Sequence, residues 1–219
     1  MNHVALFARR PESGSVKTRL SPALPPRLVC DLYRGMLGDA LEAVAASRAD
    51  RRRVLWLGTE AGEPVAVPAS LTEGEQSGSD LGERLERAFA AILGEPGRAV
   101  VIGADCPLLD AAYIDRAFAT LERADLVLGP ARDGGYTLIG LAREARGLFR
   151  GVAWGTPGVL DQTLERAGRA GLTIEKLPML EDLDTPADLV RALVALIERP
   201  RAAPHTRQAL QAMGLLPAA

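Results

Sequence analysis

Residues 100–109 read VVIGADCPLL, and this stretch decides the fold class. It is apolar at every position up to Gly103, the pattern of a strand covered on both faces rather than one with a wet side. A carboxylate, Asp105, follows directly, and Pro107 closes the turn. The run VALFA near the N-terminus has the same character. Working outward, strand candidates are 3–8, 54–58, 99–103, 126–129, 136–141 and 173–177. Helical patterns lie at 26–46, 80–93, 111–123, 158–170, 185–199 and, last, near 206–213. Strands that alternate with helices argue for βαβ units, hence an α/β protein with a mainly parallel sheet. Residues 59–79, rich in Gly, Pro, Glu and Ser, read as a long loop with room for one short strand. Such loops in a small domain are more often functional than filler. The length of 219 residues suits one large domain, 1–199, followed by a helical tail, 200–219.

Composition narrows the functional classes. Hydrophobic residues make up 47% of the chain, so a sizeable core is available and disorder is not expected. The charge of −2, with only 4% aromatics, gives no electrostatic case for nucleic acid as a partner. Cys30 and Cys106 have neither zinc-type spacing nor the pattern of a disulfide framework. Arg9 and Arg10 interrupt the apolar start, unlike a signal peptide. No apolar run reaches the ~20 residues that a membrane-spanning helix needs. A cytoplasmic protein with no membrane partner is the expectation.

In open α/β sheets, ligands sit beyond the carboxyl ends of the strands, and the informative motifs fall there. Residues 7–20, FARRPESGSVKTRL, hold Gly14, Lys17 and Arg19; Lys17 is one of only two lysines, the other being Lys176. Gly14 permits a tight backbone, and the two cations suit a polyphosphate through charge-assisted hydrogen bonds. The spacing is not that of a P-loop, and solvated loop charges are the plain alternative. Asp105 suits Mg²⁺, which is commonly held by a carboxylate together with substrate phosphates. Its alternative, a helix cap, is better filled by Asp110 ahead of 111–123. Cys106 beside it reads as a small filler, since nothing nearby would activate a thiol.

Residues 177–190, LPMLEDLDTPADLV, contain a helix start in which Thr185, Pro186 and Asp188 all have ordinary roles. Asp182 and Asp184 are left over; either could complete a metal site with Asp105. Alternation through DLD turns both acids to one side and Leu183 to the other. In GPARDGGYTLIGL, residues 129–141, Gly134 and Gly135 allow close approach to a ligand and Asp133 could meet sugar hydroxyls, while Asp-Gly is also an ordinary hairpin turn. In EQSGSDLGERLERAF, residues 75–89, Asp80 and Glu83 resemble a capping box, with Gln76 and Ser77 upstream as weak base or ribose contacts. Trp154 in VAWGTPG is a pocket-wall or core aromatic. His3 and His205 have no triad around them, so histidine catalysis is not expected.

Taken in order, FARRPESGSVKTRL, SDLGERLERAF, GADCPLL, GPARDGGYTLIGL, VAWGT and DLDTPADL resemble the GT-A-like nucleotide-diphospho-sugar transferase superfamily. More closely, they resemble the bacterial DUF2064 group, often labelled a glycosyltransferase of arsenosugar biosynthesis. The likeness runs from about residue 3 to about residue 195. It implies a three-layer α/β/α sandwich with a Rossmann-like (GT-A) sheet. It also implies Lys17 and Arg19 on phosphates, Mg²⁺ or Mn²⁺ on Asp105 with Asp184 as second acid, and Gly14, Gln76 and Asp80 toward the nucleotide. Asp133, Gly134, Gly135 and Tyr136, with Trp154, would then lie toward the sugar or acceptor. The motifs are similar as well to small nucleotidyltransferases of molybdenum-cofactor and phospholactate metabolism. The chain lacks the D-x-D of many glycosyltransferases and the G-G-x-S-x-R-M-G loop of many nucleotidyltransferases. The reading taken forward is sugar transfer from a nucleotide sugar to a small-molecule acceptor, assisted by Asp133. Nucleotidyl transfer from an NTP is the alternative, with a non-catalytic nucleotide-binding protein as the third. Sequence leaves the oligomeric state open.

Overall fold

Alternation assigns each strand residue to one face of the sheet. In β4 (Arg98–Gly103), Val100 and Ile102 enter one buried cluster, while Ala99 and Val101 enter another on the opposite face. Every strand near the middle is therefore covered twice, as the unbroken apolar runs require. In the computed structural model, residues 1–58, 62–94 and 97–217 are described. Residues 59–61 of the expected loop and 218–219 of the expected tail lie outside them.

Among the described residues the sheet has seven strands. With β4 these are β1 (Asn2–Ala8), β2 (Arg51–Trp56), β3 (Thr72–Glu75), β5 (Leu126–Pro130), β6 (Tyr136–Leu141) and β7 (Ile174–Lys176), in the order β3-β2-β1-β4-β6-β5-β7. Only β6 runs against its neighbours; the other pairings are parallel. Helices α1 (Pro26–Ala46) and α3 (Ala111–Thr120) cover one face, α2 (Leu81–Leu93) and α4 (Val159–Arg169) the other. A third apolar cluster joins the outer side of α1 to α5 (Pro186–Glu198) and α6 (Pro204–Ala212). This is the expected α/β/α sandwich with a mainly parallel sheet.

The differences from the sequence reading have local causes. β2 begins three residues before position 54 because Arg51, Arg52 and Arg53 pair with His3, Val4 and Ala5, a ladder that apolar patterning cannot register. β3, TEGE, is a polar edge strand held to β2 by parallel pairing. α3 stops at Thr120, where the 121–123 segment closes into turns. α6 docks on α1 because the Asp39 carboxylate accepts from the His205 and Thr206 N–H groups, both at 2.9 Å. Gly35 makes room for it, since a Cβ there would lie 2.7 Å from the His205 carbonyl oxygen. No helix among the described residues is long and apolar enough to cross a membrane.

Candidate active site

The parallel strands all end at one edge of the sheet. β6, running the other way, begins there. The segments after β1, β3, β4 and β7 and the β5–β6 turn therefore converge, around a cleft of about 540 Å³.

Lys17 lines it. It has left-handed backbone angles (φ 48°, ψ 38°), which cost a non-glycine residue about 1–2 kcal/mol. The short 3-10 turn Thr18–Leu20 that follows holds this conformation, with the Leu20 N–H donating to the Lys17 carbonyl at 2.9 Å and Leu20 fully buried. The Lys17 side chain is 6% exposed, and its Nζ lies 2.8 Å from Asp105 Oδ1 and 3.3 Å from Asp184 Oδ1. Burial pulls the ammonium pKa down, but the two carboxylates outweigh it and the net direction is up, so Lys17 is charged. Arg19, 72% exposed, reaches Asp184 Oδ2 at 2.7 Å. Two cations thus cancel two carboxylates.

Asp184 is placed by the start of α5. The Thr185 hydroxyl and the Asp188 carboxylate form a reciprocal capping box, and the Asp184 N–H also donates to Asp188 Oδ2 at 3.2 Å. Just before it, buried Leu183 donates its N–H to the Asp105 carbonyl at 2.8 Å, which fastens the two acidic segments together. Leu183 does point away from the site, as alternation requires, but the two acids part company. Asp184 lines the main cleft, and Asp182 lines a neighbouring cavity of about 430 Å³ beside Asp133.

That second cavity is acidic. Asp105, Asp133 and Asp182 line it, against the single cation Arg19. Burial, then the nearby Asp133 charge, push the Asp182 carboxyl up to about 6. Asp133 Oδ1 accepts from the Gly135 N–H at 2.8 Å within the β5–β6 hairpin turn, so the Asp-Gly turn reading and the cavity placement hold together. Gly134 has φ +89°, and a Cβ there would overlap the Pro157 carbonyl. Tyr136 and Trp154 form the aromatic wall, edge to face at 6.4 Å. Burial raises the Tyr136 hydroxyl's pKa, and it pushes the Cys106 thiol up to about 12, which leaves that thiol inert as a nucleophile.

The remaining residues singled out in the sequence are placed as follows. The Gln76 amide lines the main cleft and donates to the Leu55 and Ala8 carbonyls at 2.8 and 3.3 Å, strapping β2 to β1. Asp80 caps α2 by accepting from the Glu83 N–H at 2.8 Å and lines a separate cavity with Glu86 and Arg87. Glu83 reaches back to the Ser79 N–H and hydroxyl, one residue earlier than the expected box. Gly14, at φ +86°, lies in the 12–16 turn that leads to Lys17. Asp110 caps α3 by accepting from the Tyr113 N–H at 2.8 Å.

Two cleft residues escaped the sequence reading, Arg9 and Arg84. Arg84 lies on the stripe of α2 that carries Leu81, Leu85 and Ala88, and a charge out of pattern on that stripe was the available signal.

The sequence profile of the DUF2064 family, described as an uncharacterized protein conserved in bacteria, matches residues 36–156. The chain belongs to the DUF2064 family. A candidate nucleotide-diphospho-sugar transferase from Desulfovibrio desulfuricans G20 superposes with a TM-score of 0.86 at 28% identity, covering 99% of each chain. A candidate glucose-1-phosphate thymidylyltransferase from Bacillus anthracis shares the fold, with a TM-score of 0.54, 14% identity and coverage of 88% and 94%. In sequence, the 2-phospho-L-lactate guanylyltransferase of Methanothermobacter thermautotrophicus is 33% identical over 133 residues, 60% of this chain. The match spans 59% of that relative's length.

Among the described residues no group of three or more His, Cys, Asp or Glu side chains is placed to hold a metal unaided. Mg²⁺ commonly takes only one or two carboxylates and completes its shell with water and substrate phosphates. Asp105 and Asp184 already converge on one positive charge, the Lys17 ammonium. That donor set fits a cation carried in with phosphates.

Proposed function

We propose that this chain is a divalent-cation-dependent transferase that moves a sugar from a nucleotide-diphospho-sugar to a hydroxyl of a small, uncharged acceptor. The observation that carries this reading is the acidic second cavity, which shares Asp105 with the main cleft. Three carboxylates against one arginine suit a neutral hydroxyl acceptor and repel a phosphorylated one. In this reading the donor lies in the main cleft and the acceptor in the cavity. Asp105 and Asp184 would hold Mg²⁺ or Mn²⁺, which when bound neutralises charge on the departing diphosphate. Asp133, fixed by its hydrogen bond from Gly135, takes the proton of the attacking hydroxyl as a general base. Lys17 keeps the two metal-binding carboxylates together, and Arg19, at the mouth, faces both cavities.

The likeness to a guanylyltransferase favours a second reading, in which a phosphorylated acceptor attacks the α-phosphorus of an NTP and pyrophosphate leaves. That chemistry needs no base, but it needs cations where the acceptor lands. A thermal-shift panel with Mg²⁺, nucleotide sugars, nucleoside diphosphates and NTPs separates the two. A ligand at 100 times its dissociation constant adds ~2.7 kcal/mol. Stabilisation by one nucleotide sugar and its diphosphate, followed by turnover with a hydroxyl acceptor, is the expected result. Stabilisation by an NTP with release of pyrophosphate would replace sugar transfer by nucleotidyl transfer, and ligand binding without any turnover would leave a binding protein.

A further inference from the structure

We propose that Arg9 and Arg84 form an anion subsite in the main cleft and are the first anchor for the donor's phosphate chain, ahead of Lys17 and Arg19. The proposal rests on the nucleotide-donor reading and refines it. Six charged side chains line the cleft: Arg9, Lys17, Arg19, Arg84, Asp105 and Asp184. Lys17 and Arg19, the cations that the sequence marks for phosphate, are each already held by carboxylates at 2.7 to 3.3 Å. Their charge is committed. Arg9 and Arg84 make no side-chain hydrogen bond or ion pair among the described residues, and Arg84 Nε is buried without a partner. The guanidinium donors that reach the cleft are therefore uncommitted and available to an incoming anion.

The two arginines are held in place by their backbones. The Tyr33 hydroxyl donates to the Arg9 carbonyl and accepts from its N–H, both at 3.0 Å. Arg84 lies in the first turn of α2, fixed by the Asp80 cap, where the helix dipole adds to the attraction for an anion. Burial and then the Arg9 charge depress the pKa of the Arg84 guanidinium, against a smaller opposing pull from Asp80, and an anion shared by the two arginines would act in the opposite direction. Guanidinium forks also match phosphate oxygens in pairs. Arg87, three residues further along α2, is the contrast: it is exposed, bonded to Ser77 and Glu83, and lines a different cavity.

The test is calorimetric titration of wild type, Arg84→Gln, Arg9→Gln and, as control, Arg87→Gln. The probes are UDP and GDP, the matching nucleosides and inorganic pyrophosphate, each with and without Mg²⁺. Among the described residues Arg84 makes no side-chain hydrogen bond or ion pair, so the glutamine variant is expected to keep the wild-type melting midpoint. The expected result is a loss of roughly 10- to 100-fold in diphosphate and pyrophosphate affinity for Arg84→Gln and a smaller loss for Arg9→Gln, with no change for nucleosides or for Arg87→Gln. Equal losses for nucleoside and diphosphate would assign the pair to the base and overturn the proposal, as would unchanged diphosphate binding. Arg84-dependent pyrophosphate binding by a protein that takes no nucleotide would support the subsite and sink the donor reading. A wild-type protein that binds none of the probes would sink both.

Discussion

The main cleft and the cavity beside it share lining residues, among them Arg19, Asp105 and Tyr136, yet they carry opposite charge. The cleft has four cations against two carboxylates; the cavity has one cation against three. Effective dielectric constants near protein charges are of order 20, so a contrast of this kind is felt at short range, where the two cavities adjoin. In the proposed reading, a polyanion and a neutral hydroxyl compound would be sorted on either side of one carboxylate, Asp105. The lesson is that charge already spent within a site says less about its ligand than charge left over. Lys17 and Arg19 advertise phosphate in the sequence; in the fold they hold acids together.

The sharpest way to break the comparison is at the carboxylate that lines both cavities. Asp105→Ala should lower turnover by on the order of 10³-fold, the scale for losing one electrostatic stabiliser of a transition state. It should also remove the Mg²⁺ dependence of nucleotide binding while the fold survives, since the Asp105 side chain is 56% exposed. Persistence of that dependence in a thermal-shift titration would move the metal elsewhere. Asp133→Asn touches the acidic side alone. It should cost about 10²-fold in kcat, the low end for a general base, and leave donor affinity unchanged; a matching fall in donor affinity would mean that the two cavities do not divide donor from acceptor.

A structural break comes next. Gly134→Ala forces a Cβ onto the Pro157 carbonyl at a positive φ and should destabilise the protein by about 1–3 kcal/mol in urea titration. Acceptor binding should weaken more than donor binding. The mildest perturbation is acid at the start of α2. The Ser79 N–H and hydroxyl hold the Glu83 carboxyl down at about 2, below its ordinary 4.5, with help from Arg87. A depressed carboxyl contributes its stability above its unfolded pKa and loses it as the pH falls toward the folded one. Between about pH 4.5 and 2, hydrogen exchange at the first turn of α2 should therefore accelerate in wild type and not in Glu83→Gln.

How much of this could be read from sequence depended on whether the signal was local. The double-sided strands β1 and β4 and the capped starts of α2, α3 and α5 were legible, because apolar runs and cap residues are local properties. β3 was not, as TEGE has no apolar face and exists only through its ladder to β2. The reversal of β6 was half legible: the Asp-Gly turn announced a hairpin, but YTLIGL would read the same in a parallel strand. In the site, acids and cations could be listed from the motifs, but their pairing could not. Nothing local says that the Lys17 ammonium lies between Asp105 and Asp184, or that Asp182 faces Asp133 instead. Arg84 was passed over because the acids around it, Asp80 and Glu83, were fully explained as caps.

The Lys17–Asp184 contact spans 167 residues of chain. At synthesis rates of roughly 5–20 residues per second, Lys17 waits about 8–33 s on a ribosome before its second carboxylate exists. Until then its ammonium has at most Asp105 to offset burial, and the cleft it lines lacks the wall that Asp184 supplies. A nascent chain that has finished β1 through β6 thus carries only one of the two carboxylates that face the Lys17 ammonium. In the proposed reading, nucleotide capture would therefore wait until Asp184 and the start of α5 have been made.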